Sequence, residues 1–141
     1  MKVINGENLI LGRVASYIAK EALLGQEIAL VNCEKMIITG SKKEIVDRQL
    51  QAMQRGHPYA GPFFYRRPDA FVKRAIKRML PYKKSRGEQA LKKIKCYISI
   101  PTQFEKATLE TLPKANITKV PNLKYIVIQD LCQKLGAQWK K

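Results

Sequence analysis

Two apolar runs without alternation, Ile28-Ala29-Leu30-Val31 and Met36-Ile37-Ile38, constrain the fold of this chain more than any other feature. A strand with one wet face alternates apolar and polar residues. An unbroken run of strand length therefore suits a strand covered on both faces, as in a parallel sheet packed between helices. The segments around these runs have the helical period. Leu11, Val14, Ala15, Ile18 and Ala22 recur at helical spacing, and Gly25 follows as a stop, which predicts an amphipathic helix over Leu11 to Leu24. Lys2 to Ile4 is a short apolar entry. Ser41-Lys42-Lys43-Glu44 has the form of a capping box, so a second helix is expected from Lys42 to about Arg55, ending at Gly56.

Beyond Gly56 the rhythm breaks. His57 to Pro68 holds three prolines, Gly61 and four aromatic residues, an extended loop rather than a core element. Pro68 suits the first turn of a third helix reaching Leu80, with Pro81 ending it. A short fourth helix is expected from Ser85 or Gly87 to Lys93. Cys96 to Ile100 reads as a further buried strand, Pro101 to Pro121 as irregular, and Leu123 to Leu135, closed by Gly136, as a last helix. Helices alternating with apolar strands define an α/β class with a mostly parallel sheet. At 141 residues and 45% hydrophobic, the chain suits one compact domain with basic extensions.

Neither a signal-peptide core nor an apolar stretch of about 18 residues is present, so a soluble, intracellular protein without a membrane partner is expected. Cys33, Cys96 and Cys132 are odd in number and form no C-x-x-C pair, which speaks for buried thiols and against a disulfide framework or zinc site.

Charge is laid out unevenly. Met1 to Ser41 carries four residues of each sign, whereas Arg66 to Lys95 carries twelve Lys or Arg against Asp69 and Glu88. The whole chain is +16, and a fold that tolerates such self-repulsion is expected to have a polyanion beside it. On the Pro68 to Leu80 helix, Lys73, Arg74, Lys77 and Arg78 share one arc of roughly 140° at helical periodicity, opposite Phe71, Val72, Ala75, Ile76, Met79 and Leu80. A solvated face would account for part of this, through an Asp69 to Lys73 pair and the helix dipole at Lys77 and Arg78. It leaves Arg74 unexplained. Phosphate contact accounts for the whole arc. The basic theme continues in Tyr82, Lys83, Lys84 and Arg86. It also surrounds Tyr59, Phe63, Phe64 and Tyr65 beside Arg66 and Arg67, where rings of this kind either pack at home or stack on unpaired bases.

Catalytic patterns fail on inspection. Ile37 to Lys42 is a strand, a glycine and a helix start, but a P-loop would need glycine at Lys35 and lysine at Ser41. Gly6 to Gly12 lacks the Gly-x-Gly of a dinucleotide fingerprint. His57 has no clustered second ligand, and no nucleophile motif surrounds Ser16, Ser41 or Ser85. No catalytic residue, metal or cofactor is expected. The rival readings are a nucleotide-dependent RNA-modifying enzyme, which would need the phosphate loop that fails here, and an RNA-binding translational regulator.

Leu11-Gly12-Arg13-Val14-Ala15-Ser16, Val31-Asn32-Cys33-Glu34 and Ile38-Thr39-Gly40, followed in order by Gly61-Pro62-Phe63, Arg67-Pro68, Met79-Leu80-Pro81-Tyr82-Lys83-Lys84, Arg86-Gly87, Ala90-Leu91 and Ile100-Pro101, resemble the signatures of the L13 family of large-subunit ribosomal proteins. The match runs over roughly residues 1 to 101, and the Leu-Pro-Tyr-Lys-Lys form is similar to the archaeal type. Arg78 and Ser99 stand where that family commonly has glycine.

The resemblance implies a three-layer α/β/α domain with a four-stranded, mostly parallel sheet. It implies a cytoplasmic ribosomal component bound to 23S-type rRNA and to neighbouring large-subunit proteins, incorporated early in assembly. It implies no catalysis, no small-molecule substrate and no homo-oligomer. The family's basic helix and Met-Leu-Pro loop map onto Lys73 to Lys84. The full set of candidate RNA contacts is Lys42, Lys43, Arg48 and Arg55 on the second helix, His57, Tyr59, Tyr65, Arg66 and Arg67 in the loop, Lys73, Arg74, Lys77 and Arg78 on the third helix, and Tyr82, Lys83, Lys84, Arg86, Lys92 and Lys93 after it. Residues 102–141 carry no transferred contact.

Overall fold

A computed structural model describes residues 1–57 and 59–139. In chain order the elements are β1 (Lys2–Asn5), α1 (Leu11–Leu23), β2 (Ile28–Val31), β3 (Ile37–Thr39), α2 (Lys42–Gln54), α3 (Pro68–Met79), α4 (Ser85–Lys92), β4 (Ile94–Cys96), β5 (Leu109–Glu110), β6 (Tyr125–Val127) and α5 (Ile128–Lys134). Four of the strands form a parallel sheet in the order β4-β2-β1-β5. Val3 sits opposite Ala29 on one side and Leu109 on the other, so the apolar entry of the chain is an interior strand. The α/β class and the four-stranded parallel sheet are those expected.

Topology decides what covers each face. The connections β1 to β2 and β2 to β4 step the same way across the sheet, so right-handed crossovers place their helices on one side. There Ile4, Ile28, Leu30 and Ile94 meet Val14 and Ile18 of α1 and Val72 and Ile76 of α3, all fully buried. Each such side chain contributes about 1.5 to 3 kcal/mol of burial. The long return from β4 to β5 crosses the other face. Phe104, in a single 3₁₀ turn (Thr102–Phe104), closes over Val3, Ala29 and Val31, with Tyr97 packed edge-on against it. The outer layer on this face is therefore a 3₁₀ turn and loop, where a three-layer reading places helices.

Other boundaries shift for local reasons. Asn32 takes a left-handed conformation (φ 55°) and the 3₁₀ turn Cys33–Lys35 follows, swinging the chain off the sheet. Ile37–Thr39 consequently leaves the parallel sheet and pairs antiparallel with Tyr125–Val127. The helix expected over Leu123 to Leu135 is a strand first, and turns helical only at Ile128. A small core of Ile126, Leu131 and Leu135 then receives Ile45, Leu50 and Met53 from α2. The capping pattern at Ser41 makes no side-chain cap bond, although α2 begins at Lys42 as expected.

The strand expected over Cys96 to Ile100 is instead Ile94–Cys96, because the parallel register with Ile28–Leu30 ends there. Past it, Ser99 turns into the left-handed region (φ 58°), a conformation that glycine adopts at least steric cost. Buried Glu34 holds it: the Ser99 N–H donates to Glu34 Oε2 (3.1 Å) and its hydroxyl to Oε1 (3.3 Å). The same register sets Cys96 opposite Leu30, whose carbonyl accepts from the buried Cys33 thiol (3.6 Å), so the two cysteines come close although remote in sequence. Cys33 and Cys132 are buried and Cys96 half-buried.

Candidate nucleic-acid interface

α3 divides its two faces as its sequence predicts, with one exception. Val72, Ile76 and the following Leu80 are buried, Phe71 and Ala75 half-buried, and Met79 is exposed at the rim, where the Ser16 hydroxyl meets its sulfur (3.3 Å). Pro68 occupies the first turn, where its missing N–H costs nothing, and Lys77 and Arg78 occupy the last, at the negative end of the dipole.

The carboxylate in the first turn is not spent on Lys73. Asp69 pairs with Arg67 instead (Arg67 Nη2 to Oδ2, 3.1 Å), so the pair that would explain Lys73 structurally does not form. None of Lys73, Arg74, Lys77 and Arg78 makes an ion pair among the described residues.

Two of these cations are held in place by rings. The Arg74 guanidinium lies 4.3 Å from the centre of the Phe64 ring and donates to the Phe63 carbonyl (3.4 Å). The Lys77 ammonium lies 4.8 Å from the centre of Tyr82. Cation–π contact orients a cation without neutralising it. The Phe63–Tyr65 loop and Tyr82 thus form the sides of a cleft of about 610 Å³, with Ala70, Lys73, Arg74, Lys77 and Arg78 also lining it. The glycine at position 87 makes the second wall possible: a Cβ there would collide with the Pro81 carbonyl and the Tyr82 N–H.

The candidate residues do not all gather there. Tyr65, Lys73, Arg74, Lys77, Arg78 and Tyr82 line the cleft. Arg55, His57 and Arg66 line a second hollow on the other side of Phe63 and Phe64. Arg66 also lies against Gly136, whose added Cβ would sit 3.3 Å from the guanidinium. Lys83 and Lys84 are exposed on the turn after α3, and Arg86 stands near Ser16 and Met79. Lys42 faces Asp130 and Lys134 of α5 across a shallow hollow, while Lys43 and Arg48 are solvated on α2.

Lys92 and Lys93 lie apart, beside Met1 and Glu27, and both are engaged: Lys92 with Glu88 (2.9 Å), Lys93 with the Gly25 carbonyl (3.2 Å). His57 serves its own loop, Nδ1 accepting from the Tyr59 N–H (3.3 Å), with the Tyr59 ring nearly fully exposed beside it. Phe64 was legible only as one ring among four; its role as the seat of Arg74 needed the structure.

The buried thiols offer no nucleophile. A hydrogen bond with Cys96, then burial, pushes the Cys33 thiol well above its ordinary range, and burial pushes Cys132 up to about 12, helped by the Asp69 charge. Among the described residues no group of His, Cys, Asp and Glu is placed to hold a metal ion, and no helix is long and apolar enough to cross a membrane.

A parallel α/β core whose uncompensated cations stand on one helix and its flanking loops defines an α/β protein with a strongly cationic surface. The sequence profile of the family described as ribosomal protein L13 matches residues 1–103. Three relatives bear the name large ribosomal subunit protein uL13. That of Methanococcus maripaludis is 44% identical over 144 residues, covering 99% of this chain and all of the relative. That of Methanopyrus kandleri is 43% identical over 138 residues, 96% of this chain and 87% of the relative. That of Methanosarcina barkeri is 39% identical over 140 residues, 99% of this chain and all of the relative. The chain belongs to the ribosomal protein L13 family, whose members are structural components and not enzymes.

Proposed function

We propose that this protein is a structural constituent of the large ribosomal subunit in the cytoplasm, binding large-subunit rRNA through the outer face of α3 and the loops on either side of it. The observation that carries the site is the helix arc Lys73, Arg74, Lys77 and Arg78, the first two half-buried and the last two exposed, without carboxylate partners among the described residues, and backed by a buried apolar face. Cations so placed supply the sequence-independent part of RNA affinity by displacing counterions from phosphates. Selectivity then comes from RNA shape, because the A-form major groove is too narrow for side chains to read.

Arg66, Lys83, Lys84 and Arg86 extend the same surface, and Arg55 and His57 flank it. Lys92 and Lys93, already engaged within the chain, contribute least. The protein acts as one copy among neighbouring large-subunit proteins, joining early in assembly. The test is sedimentation with the large subunit, combined with chemical footprinting of its rRNA with and without the protein. Stoichiometric co-sedimentation and a discrete set of protected nucleotides are expected. Failure to sediment with the subunit, or an rRNA reactivity pattern that the protein leaves unchanged, overturns the reading.

A further inference from the structure

We propose that the cleft between the Phe63–Tyr65 loop and α3 receives an unpaired nucleotide of the rRNA, its base against Phe63 and Tyr65 and its phosphates on Lys73 and Arg78. This rests on the rRNA-binding reading and deepens it, from a surface that neutralises phosphate to one that holds a base.

The division of labour among the rings carries the inference. Phe64 and Tyr82 are occupied, each beneath a cation of α3. Phe63 and Tyr65 have no such partner among the described residues, and they leave 70% and 60% of their surface in water. A protein of this size gains nothing in stability from two rings held in solvent along one cleft, and exposed apolar surface beside a polar rim marks a contact surface.

The backbone beneath them is tied down. Arg74 donates to the Phe63 carbonyl, so the loop is held against the helix rather than left free. The cleft, at about 610 Å³, lies within the roughly 300 to 1,000 Å³ of small-ligand sites, and no acidic residue lines it. Four cations and two unoccupied rings suit a group with both an aromatic face and a negative charge, and a nucleotide out of its stack has both. An acidic protein segment would use the charge and leave the rings unexplained. A paired helix would present phosphates and no free base.

The test uses the whole chain bound to deproteinised large-subunit rRNA. Ultraviolet irradiation joins an aromatic side chain to a base stacked on it, and mass spectrometry of the product is expected to place the cross-link at Phe63 or Tyr65 on a nucleotide unpaired in the free rRNA. Replacing both rings, Phe63→Leu with Tyr65→Leu, should weaken rRNA binding by about 5- to 150-fold, the range for losing one base stack, with the salt dependence unchanged because no phosphate contact is removed. Both rings being exposed, the urea unfolding midpoint should stay put.

Cross-links confined to paired regions, or a double variant that binds like the parent while retaining the parent's salt slope, overturns the base pocket and leaves phosphate binding standing. Parent protein that binds rRNA with no salt dependence overturns both. A cross-link from these rings to a neighbouring protein in the assembled subunit, in place of rRNA, also overturns the proposal.

Discussion

The first forty-one residues and the stretch from Arg66 to Lys95 use charge in opposite ways. In the N-terminal stretch charges meet within the fold: Lys2 reaches Glu21 (2.8 Å), Lys35 reaches Glu7 (3.2 Å), and Glu34 is spent on Ser99. In the basic stretch the two acids are used up by Arg67 and Lys92, leaving ten cations without a carboxylate partner among the described residues. Both stretches contribute helices to the same sheet face, and α1 and α3 pack directly on each other. The difference is therefore not one of burial. Identical packing rules operate on the inner faces, while the outer face of α3 holds charge that the folded chain does not compensate for, and self-repulsion of that kind opposes folding rather than aiding it.

The strongest way to break this comparison is to replace Lys73, Arg74, Lys77 and Arg78 together by Gln. These residue types have similar helix propensity, and no ion pair among the described residues is lost, so the urea midpoint should hold or rise. Affinity for large-subunit rRNA should fall by about a thousandfold near 0.1 M salt, and the log–log salt slope should shallow by up to about three units, if each contact releases about 0.7 to 0.9 counterion. A variant that unfolds easily yet binds like the parent makes the arc structural.

Ile76→Ala probes the inner face of the same helix. Chemical denaturation should show a loss of about 2 to 5 kcal/mol for this fully buried side chain, with the salt slope of rRNA binding unchanged. Gly87→Ala sits between the two regimes. The added methyl group meets the Pro81 carbonyl and should cost about 1 to 3 kcal/mol as overpacking, while also displacing Tyr82 from Lys77 and weakening rRNA binding.

The smallest effect concerns Cys132, beside Asp69 at the start of α3. Its thiol is raised on folding from 9.0 to about 12, so the native state keeps a proton that the unfolded chain releases; the stabilisation is full below about pH 9 and is lost as pH rises toward 12. The cost of Cys132→Ala should accordingly be smaller at pH 10 than at pH 7 in paired denaturation curves.

Much of this architecture could be read from residues because local signals and tertiary demands agree. The helices α1 to α4 lie within a residue or two of their expected bounds, where apolar periodicity is terminated by Gly25, Gly56 or Pro81. Elsewhere the deciding partner is distant. Tyr125-Ile126-Val127-Ile128 is apolar enough for helix or strand, and only pairing with Ile37–Thr39 resolves it. Leu109–Glu110 is too short to announce itself, yet it occupies a sheet edge. For the interface, the arc of cations follows from spacing along one helix. That Arg74 and Lys77 would be seated on Phe64 and Tyr82, or that Asp69 would choose Arg67 over Lys73, depends on loop paths that no local pattern encodes.

The strand order has a consequence for the order in which the chain can be made. β1 is the first strand synthesised, but one of its two neighbours, β5, begins more than a hundred residues later. A chain growing from its N-terminus can pair β1 with β2 as soon as Val31 has emerged, and can dock α1 on that pair. Until Leu109 arrives, the far side of β1 remains a row of unsatisfied backbone groups, the kind of edge on which strands of other molecules pair. Val3, Ala29 and Val31 also wait uncovered for Phe104. Sealing this nascent protein is thus the task of residues 104–141, the portion beyond the reach of the family profile.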